Sequence, residues 1–431
     1  MKIKYLTSIF ILISTLVFSQ NQSDFNEREE MLGTTSSTEV LFHEMINADS
    51  IKLNYSGIIL GIEKINRKYL SNTEEKITPE KQRELYQIDL CRYREHELKR
   101  TIKRAEKILS HPKVMTLSHW IEFDKHQNRT LKYSLYDQLD SKQNFLENSI
   151  SQIPKIAELI KSKFEQEKYT HLIIASTGWN NDQKKSVLTY NTWLQHISNA
   201  AEQNNYKFKP YVIGLTWPST WKTVGGKIIS YFNKANDADE IGMTLMNVLI
   251  WKHLAPLMRN YPEMELVLLG HSFGARILTR ASHSKILLNN DPENKDQIDL
   301  MIAVQGAFSV NRFLNKKSTE GNLYTRFLPW KKFIATNSKS DKAVDNAFYT
   351  TMIGNDKSSK KLTSKKAGVR FSLVSVNSEG KLGNPINETI HTIINANELI
   401  NHGNTPLVGA HSDHQRPQFG NFIFNILNSY K

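Results

Sequence analysis

Residues 264–278 constrain the fold of this chain more than any other stretch. An apolar run of strand length, Leu266-Val267-Leu268-Leu269, enters Gly270-His271-Ser272-Phe273-Gly274, and an apolar-periodic segment with few β-branched residues follows. Gly-x-Ser-x-Gly between a strand and a helix predicts a tight turn with the serine at its apex. Such a turn forces Ser272 into a strained backbone conformation, and Gly270 and Gly274 leave room where a Cβ would clash. The Ser272 hydroxyl then stands clear of the sheet at the N-terminal end of a helix, placed as a nucleophile. The Phe273 N–H can point at a developing oxyanion. A glycine-flanked turn whose serine only caps a helix has the same pattern.

The run belongs to a series. Short apolar runs at 171–176, 211–216, 265–269, 300–304, 332–336 and 369–376 alternate with helical segments. Alternation of this kind implies βαβ units and a mostly parallel sheet. In such sheets ligands bind beyond the carboxyl ends of the strands, so the residue after each run matters. The first run ends in Thr177-Gly178-Trp179-Asn180-Asn181-Asp182, where Gly178 suits a close turn and the Trp179 amide is a candidate second oxyanion donor. An ordinary loop with a helix cap is the alternative. The second run ends in Thr216-Trp217-Pro218-Ser219, where Trp217 lines a pocket or plugs the core. Residues 218–260 exceed what a crossover needs, and their aromatics and glycines suggest a lid, with the second half packed as helix on the sheet. Asp237 precedes the serine and reads as a helix cap.

A serine hydroxyl at neutral pH needs a histidine to take its proton and a carboxylate to orient the imidazole. Downstream, Asp341 lies in the polar loop Ser338-Lys339-Ser340-Asp341-Lys342 after a strand and is the favoured acid. Asp345 and Asp299 are its rivals, and an N-cap is its plain alternative role. The histidine candidates are His391, in a helical-looking stretch, His402, His411 and His414. His411 is favoured over His414 because it lies nearer the apolar run 407–410 and before the terminal helix expected near Pro417. His411, Asp413 and His414 are also potential metal ligands. Such close neighbours do not easily close a tetrahedral site alone, and no HExxH helix is present, so no metal and no cofactor are expected.

Residues 20–165 read as a mainly helical region with a short hairpin. Thr78-Pro79-Glu80-Lys81 is a helix start, apolar residues recur at helical spacing from Leu85 to Leu109, and His126-Gln127-Asn128-Arg129 separates two strand-like stretches. Residues 1–19 read as a signal peptide, with Lys2 and Lys4 before an apolar stretch at 6–18, which places the protein outside the cytoplasm, secreted or periplasmic. An uncleaved anchor is the alternative. The single cysteine, Cys91, excludes an intrachain disulfide. The net charge of +13 is spread over scattered lysines. That pattern offers no nucleic-acid module, but it permits peripheral contact with an anionic membrane surface.

Taken together, Gly270-His271-Ser272-Phe273-Gly274, Thr177-Gly178-Trp179-Asn180-Asn181, Trp217-Pro218-Ser219, Ser340-Asp341 and Ala410-His411-Ser412-Asp413 resemble the α/β-hydrolase superfamily, and within it lipase- or esterase-like bacterial branches. The resemblance covers residues 166–431. It implies an α/β-hydrolase domain there, a mostly parallel sheet with flanking helices, and a candidate lid at 218–260. It also implies Ser272 as nucleophile, Asp341 as acid and His411 as base; beside them the Phe273 and Trp179 amides are the candidate oxyanion donors, and Trp217 and His271 the candidate substrate contacts. The implied activity is hydrolysis of a small-molecule or lipid ester through an acyl-enzyme. An acyltransferase, or a hydrolase-fold scaffold without turnover, is the alternative. Many members carry His-Gly where this chain has Thr177-Gly178, and the stretch 377–405 before His411 is longer than usual.

Overall fold

The computed structural model describes residues 51–67, 70, 77–90, 99–138, 144–179, 181–219, 224–288, 297–315, 323–326, 328–345, 351–387, 391–402 and 409–429, with the backbone alone for residues 224–233, 323, 326 and 345. The expected signal peptide, the polar stretch 21–38 and Cys91 lie outside the described residues.

Ten strands form one sheet: β1 (Gly57–Asn66), β2 (Lys113–Phe123), β3 (Arg129–Ser134), β4 (His171–Ser176), β5 (Pro210–Thr216), β6 (Glu265–His271), β7 (Ile298–Val304), β8 (Trp330–Asn337), β9 (Phe371–Ser375) and β10 (His391–Asn395). Across the sheet their order is β9-β10-β8-β7-β6-β4-β5-β1-β2-β3. Only β2 runs against the rest. The helices that cover it are α1 (Pro79–Leu85), α2 (Lys99–Leu109), α3 (Phe145–Gln166), α4 (Gln183–Gln203), α5 (Val224–Met243), α6 (Phe273–His283) and α7 (Pro417–Ser429).

The central strands are apolar at nearly every position because both faces of the sheet are covered. The two-residue period of a strand sends alternate side chains to opposite sides. Thus Leu172 and Ile174 of β4 and Leu266 and Leu268 of β6 enter one core, with α5 and α6. Ile173 and Ala175, and Val267 and Leu269, enter the other, with α4 and α7. Each fully buried leucine or isoleucine contributes roughly 1.5–3 kcal/mol.

Residues 20–165 do not form the separate, mainly helical region that their pattern suggests. Three strands of that stretch extend the hydrolase-like sheet, and β1 pairs directly with β5, Gly57 opposite Val212 and Leu60 opposite Leu215. β1 escapes a helix-or-alternation reading because Ile58, Ile59, Leu60 and Ile62 are all buried, so no polar residue marks its period. The hairpin is present: β2 and β3 pair across a turn in which Asp124 accepts the His126 and Asn128 amides. The helical run expected from 78 to 109 begins as predicted, with Thr78 Oγ1 accepting the Lys81 N–H. It is interrupted after Leu85, where Ile88 bridges to Leu288, and helix returns as expected in α2 with Ile102, Ala105, Ile108 and Leu109 buried. His391 lies on a strand, not a helix, and its Nδ1 accepts the Phe333 N–H.

Of the candidate lid at 218–260, residues 220–223 lie outside the described residues. From Lys234 to Met258 the chain is helical, long and apolar enough to cross a membrane, but 78% of that window is buried in the protein. It is a core helix. Asp237 does not cap a helix as its sequence context suggests: it lies inside α5, paired with Lys64 of β1 at 2.5 Å and with Lys234 of the same helix at 3.5 Å.

Candidate active site

The carboxyl ends of β4, β6, β7 and β8 meet at one rim. Ser272 follows β6 with φ 56° and ψ −119°, a backbone conformation that few side chains tolerate. Two close approaches explain the flanking glycines. A Cβ at Gly274 would lie 2.0 Å from the Ser176 carbonyl oxygen, so α6 can start against β4 only without one. A Cβ at Gly178 would lie 2.5 Å from Ser272 Cβ and 3.0 Å from its Oγ. The backbone of Ser272 is pinned on both sides: its N–H donates to the Val304 carbonyl at 3.0 Å, and its carbonyl accepts the Ala307 N–H at 3.1 Å.

The loop after β4 is braced from three directions. The Tyr190 hydroxyl accepts the Thr177 N–H and donates to the Leu215 carbonyl. The Asn181 amide side chain donates to the Gly178 carbonyl at 3.2 Å. Ser219, after β5, exchanges hydrogen bonds with the Asn181 backbone. Asp182 then caps α4 by accepting the Lys185 N–H. Asp182 thus supplies the helix cap, and Trp179 lies half-buried at the turn beside Gly178. α6 begins at Phe273, so the Phe273 amide belongs to the first turn of the helix.

Asp341 lies just past β8, fully buried. His411 opens a 3₁₀ turn, Ala410–Gln415, ahead of α7. The His411 Nδ1 lies 2.8 Å from Asp341 Oδ2 and 3.0 Å from Oδ1. That bond leaves the proton on Nδ1 and the lone pair on Nε2, the tautomer of a general base. The His411 ring packs on His271, the chain neighbour of Ser272, at 4.6 Å between centroids.

Residues 155–355, which span the elbow and the acid, match the family model described as "Alpha/beta hydrolase of unknown function (DUF900)". Those residues form an α/β-hydrolase domain. Among solved structures, the chain is similar to "Trichoderma reesei cutinase in complex with a C11Y4 phosphonate inhibitor", at 14% identity and a TM-score of 0.21 over 41% of this chain and 74% of that one. No curated protein matches it.

Geometry separates the rival residues. His414 is fully buried; its Nδ1 accepts the Trp193 indole N–H at 3.0 Å, and burial, with the nearby His411, pushes it down to about 3. It cannot serve as a base facing Ser272 while it holds that bond. His402 is exposed and contacts Arg416 and Asp413. His391 is pushed down to about 4, by burial and then by Lys332. Asp299 lies at the start of β7, accepting the Leu266 N–H. Asp413 accepts the Asn401 and His402 amides and so ties a loop.

Two expected substrate contacts are placed otherwise. Trp217 is buried, donates its indole N–H to the Thr177 carbonyl at 3.2 Å and packs edge-on to Phe273. It supports the loop after β4 from below rather than lining an open surface. His271 is likewise buried, between His411 and His414. Alternation along β6 accounts for it: the residue before the apex points back into the protein.

A residue not singled out from the sequence completes the acid's surroundings. Gln305, at the end of β7, has φ 47° and is fully buried. Its Nε2 donates to Asp341 Oδ2 at 2.5 Å and to the Ala410 carbonyl at 3.1 Å, so one amide fastens both the acid and the turn carrying His411. The available signal was its position as the first polar residue beyond an apolar strand. Farther below, Arg276 on α6 grips the buried Asp239 with two hydrogen bonds, 3.0 and 2.7 Å. Burial raises the Asp239 carboxyl, but Arg276, Arg280, Arg312 and Arg104 outweigh it and hold it well below the usual range. This cluster anchors α6, the helix that follows Ser272, to α5.

Proposed function

We propose that the chain is a serine hydrolase that cleaves carboxylic esters through an acyl-enzyme. The reading rests on one observation above others: a strained serine at a β6–α6 elbow shares its rim with a half-buried His411 held by the buried Asp341. Ser272 Oγ attacks the acyl carbonyl while His411 Nε2 takes the hydroxyl proton, and Asp341 stabilises the imidazolium through Nδ1–H. The Phe273 and Trp179 amides receive the oxyanion. His411 then returns the proton to the leaving alcohol, and water, deprotonated by the same nitrogen, releases the acid and frees Ser272. The chain's own residues supply every role, so the proposed reaction uses no cofactor.

The proposed substrate is a small-molecule or lipid ester. The basic charge and the signal-like N-terminal segment fit an enzyme acting outside the cytoplasm, secreted or periplasmic, in peripheral contact with anionic membrane. A fluorophosphonate probe tests the chemistry, with labelling expected on the wild-type protein and lost in Ser272→Ala. Folded wild-type protein that stays unlabelled while a control hydrolase reacts would overturn it. A series of p-nitrophenyl esters of increasing acyl length then defines the substrate.

A further inference from the structure

Beside Ser272 three imidazoles stack. His271 lies 4.6 Å from the His411 ring and 3.8 Å from the His414 ring, tilted 48° and 39°. His414 is locked from behind by the Trp193 indole at 3.0 Å and by packing on Phe419. His271 is different: neither of its ring nitrogens has a hydrogen-bond partner, although the residue is buried. The His411 backbone is close enough to favour a protonated His271 nitrogen slightly, short of a full hydrogen bond. Leaving a buried donor or acceptor unpaired costs about 1–3 kcal/mol each. A phenylalanine would fill the same wedge without that cost, so packing alone does not account for a histidine here.

We infer that His271 is a positioning residue for His411: its uncommitted imidazole, wedged between the His411 and His414 rings, sets the plane of the base and turns a dipole toward it when it becomes charged. The inference rests on His411 being the base. A neutral imidazole carries its proton on either nitrogen. Because neither nitrogen of His271 is bound, it can adopt the tautomer whose lone pair faces the His411 cation without breaking a hydrogen bond. In a buried site with low effective dielectric, such a dipole counts for more than in water.

The charges around the stack keep His271 in its neutral form. Asp341 holds the outer nitrogen of His411, His411 and His414 flank His271, and Lys185 approaches from α4. Burial, followed by the neighbouring His414 and His411 rings and by Lys185, holds His271 well below its ordinary range. His414 cannot take the proton at Nδ1 while it accepts the Trp193 N–H. Of the three rings, His411 is the one whose Nε2 is left to take the Ser272 proton, because Asp341 holds its Nδ1.

His271→Phe keeps the wedge and removes the nitrogens; His271→Ala removes both. Each is made in the full chain and assayed with p-nitrophenyl acetate, and the imidazole resonances are titrated by NMR, which requires no turnover. In His271→Phe, kcat should fall ~10-fold, a fraction of what a general base supplies, with KM unchanged. The thermal midpoint should hold or rise, and the His411 titration should move to lower pH. His271→Ala should lose more in kcat. An unmoved His411 titration in folded His271→Phe would overturn the inference, and so would a wild-type His271 resonance titrating between about pH 5 and 8, where an ordinary imidazole changes charge. A wild-type protein without esterase activity would overturn the proposed function alone, since the NMR titration still decides the role of His271.

Discussion

At Asp341 the physics is a matter of donors. The carboxylate is fully buried and takes its hydrogen bonds from His411, from the Gln305 amide and from the Ala343 N–H. Gln305→Leu removes one donor from Asp341 and one from the Ala410 carbonyl. The expected loss is about 1–3 kcal/mol of stability for the groups left unpaired. Ester turnover should fall ~10–100-fold, the range seen when a supporting partner of a site residue is removed. Urea midpoints and kcat measure the two effects. Ser272→Ala should leave the urea midpoint nearly unchanged while turnover falls by a factor on the order of a million. Gly178→Ala should act like a disabled nucleophile, because its methyl group would need the space of Ser272 Cβ. Loss of fluorophosphonate labelling in a protein that still melts cooperatively is the expected result.

At the scale of elements, α5 is attached to the first strands by a carboxyl group that titrates unusually. Glu240 accepts the Met115 N–H of β2 at 3.1 Å and the Gln82 amide of α1 at 3.2 Å. Burial pushes it up to about 7, against the partial relief that Lys64 supplies. The folded protein therefore holds a proton on Glu240 that the unfolded chain releases near pH 4.5. This contribution is fully favourable below that pH and is lost as pH rises toward 7. The change is on the order of 3 kcal/mol, at about 1.4 kcal/mol per pH unit. Glu240→Gln keeps an acceptor for Met115 and cannot ionise. Its unfolding free energy should depend less on pH between 4.5 and 7 than that of the wild type, and chemical denaturation across that range checks this.

The whole molecule depends on the continuity of its sheet. A fragment spanning 166–431 contains the proposed nucleophile, acid and base but leaves β5 as a bare edge where β1 paired. It also strips Ile58, Leu60, Ile62 and Leu117 from one core and Ile59 and Ile121 from the other. An exposed apolar edge strand is a site of aggregation. The fragment should be insoluble or lack near-ultraviolet circular dichroism. A soluble, cooperatively melting fragment would show that the first three strands are dispensable.

Local sequence determined what short-range sterics can determine. Apolar periodicity marked β4 to β8, and Gly-x-Ser-x-Gly required the strained turn, because a backbone clash or a two-residue alternation is settled within a few neighbours. Tertiary structure decided the rest. His411 and His414 are three residues apart in one polar turn, yet one meets Asp341 and the other Trp193, contacts spanning 70 and 221 residues. Gln305 acquired its role only when β7 was laid beside β8, and β1 became a sheet member only when β5 offered it an edge. Such contacts arise from the packing of whole layers, where the burial of many side chains outweighs the preference of any one segment.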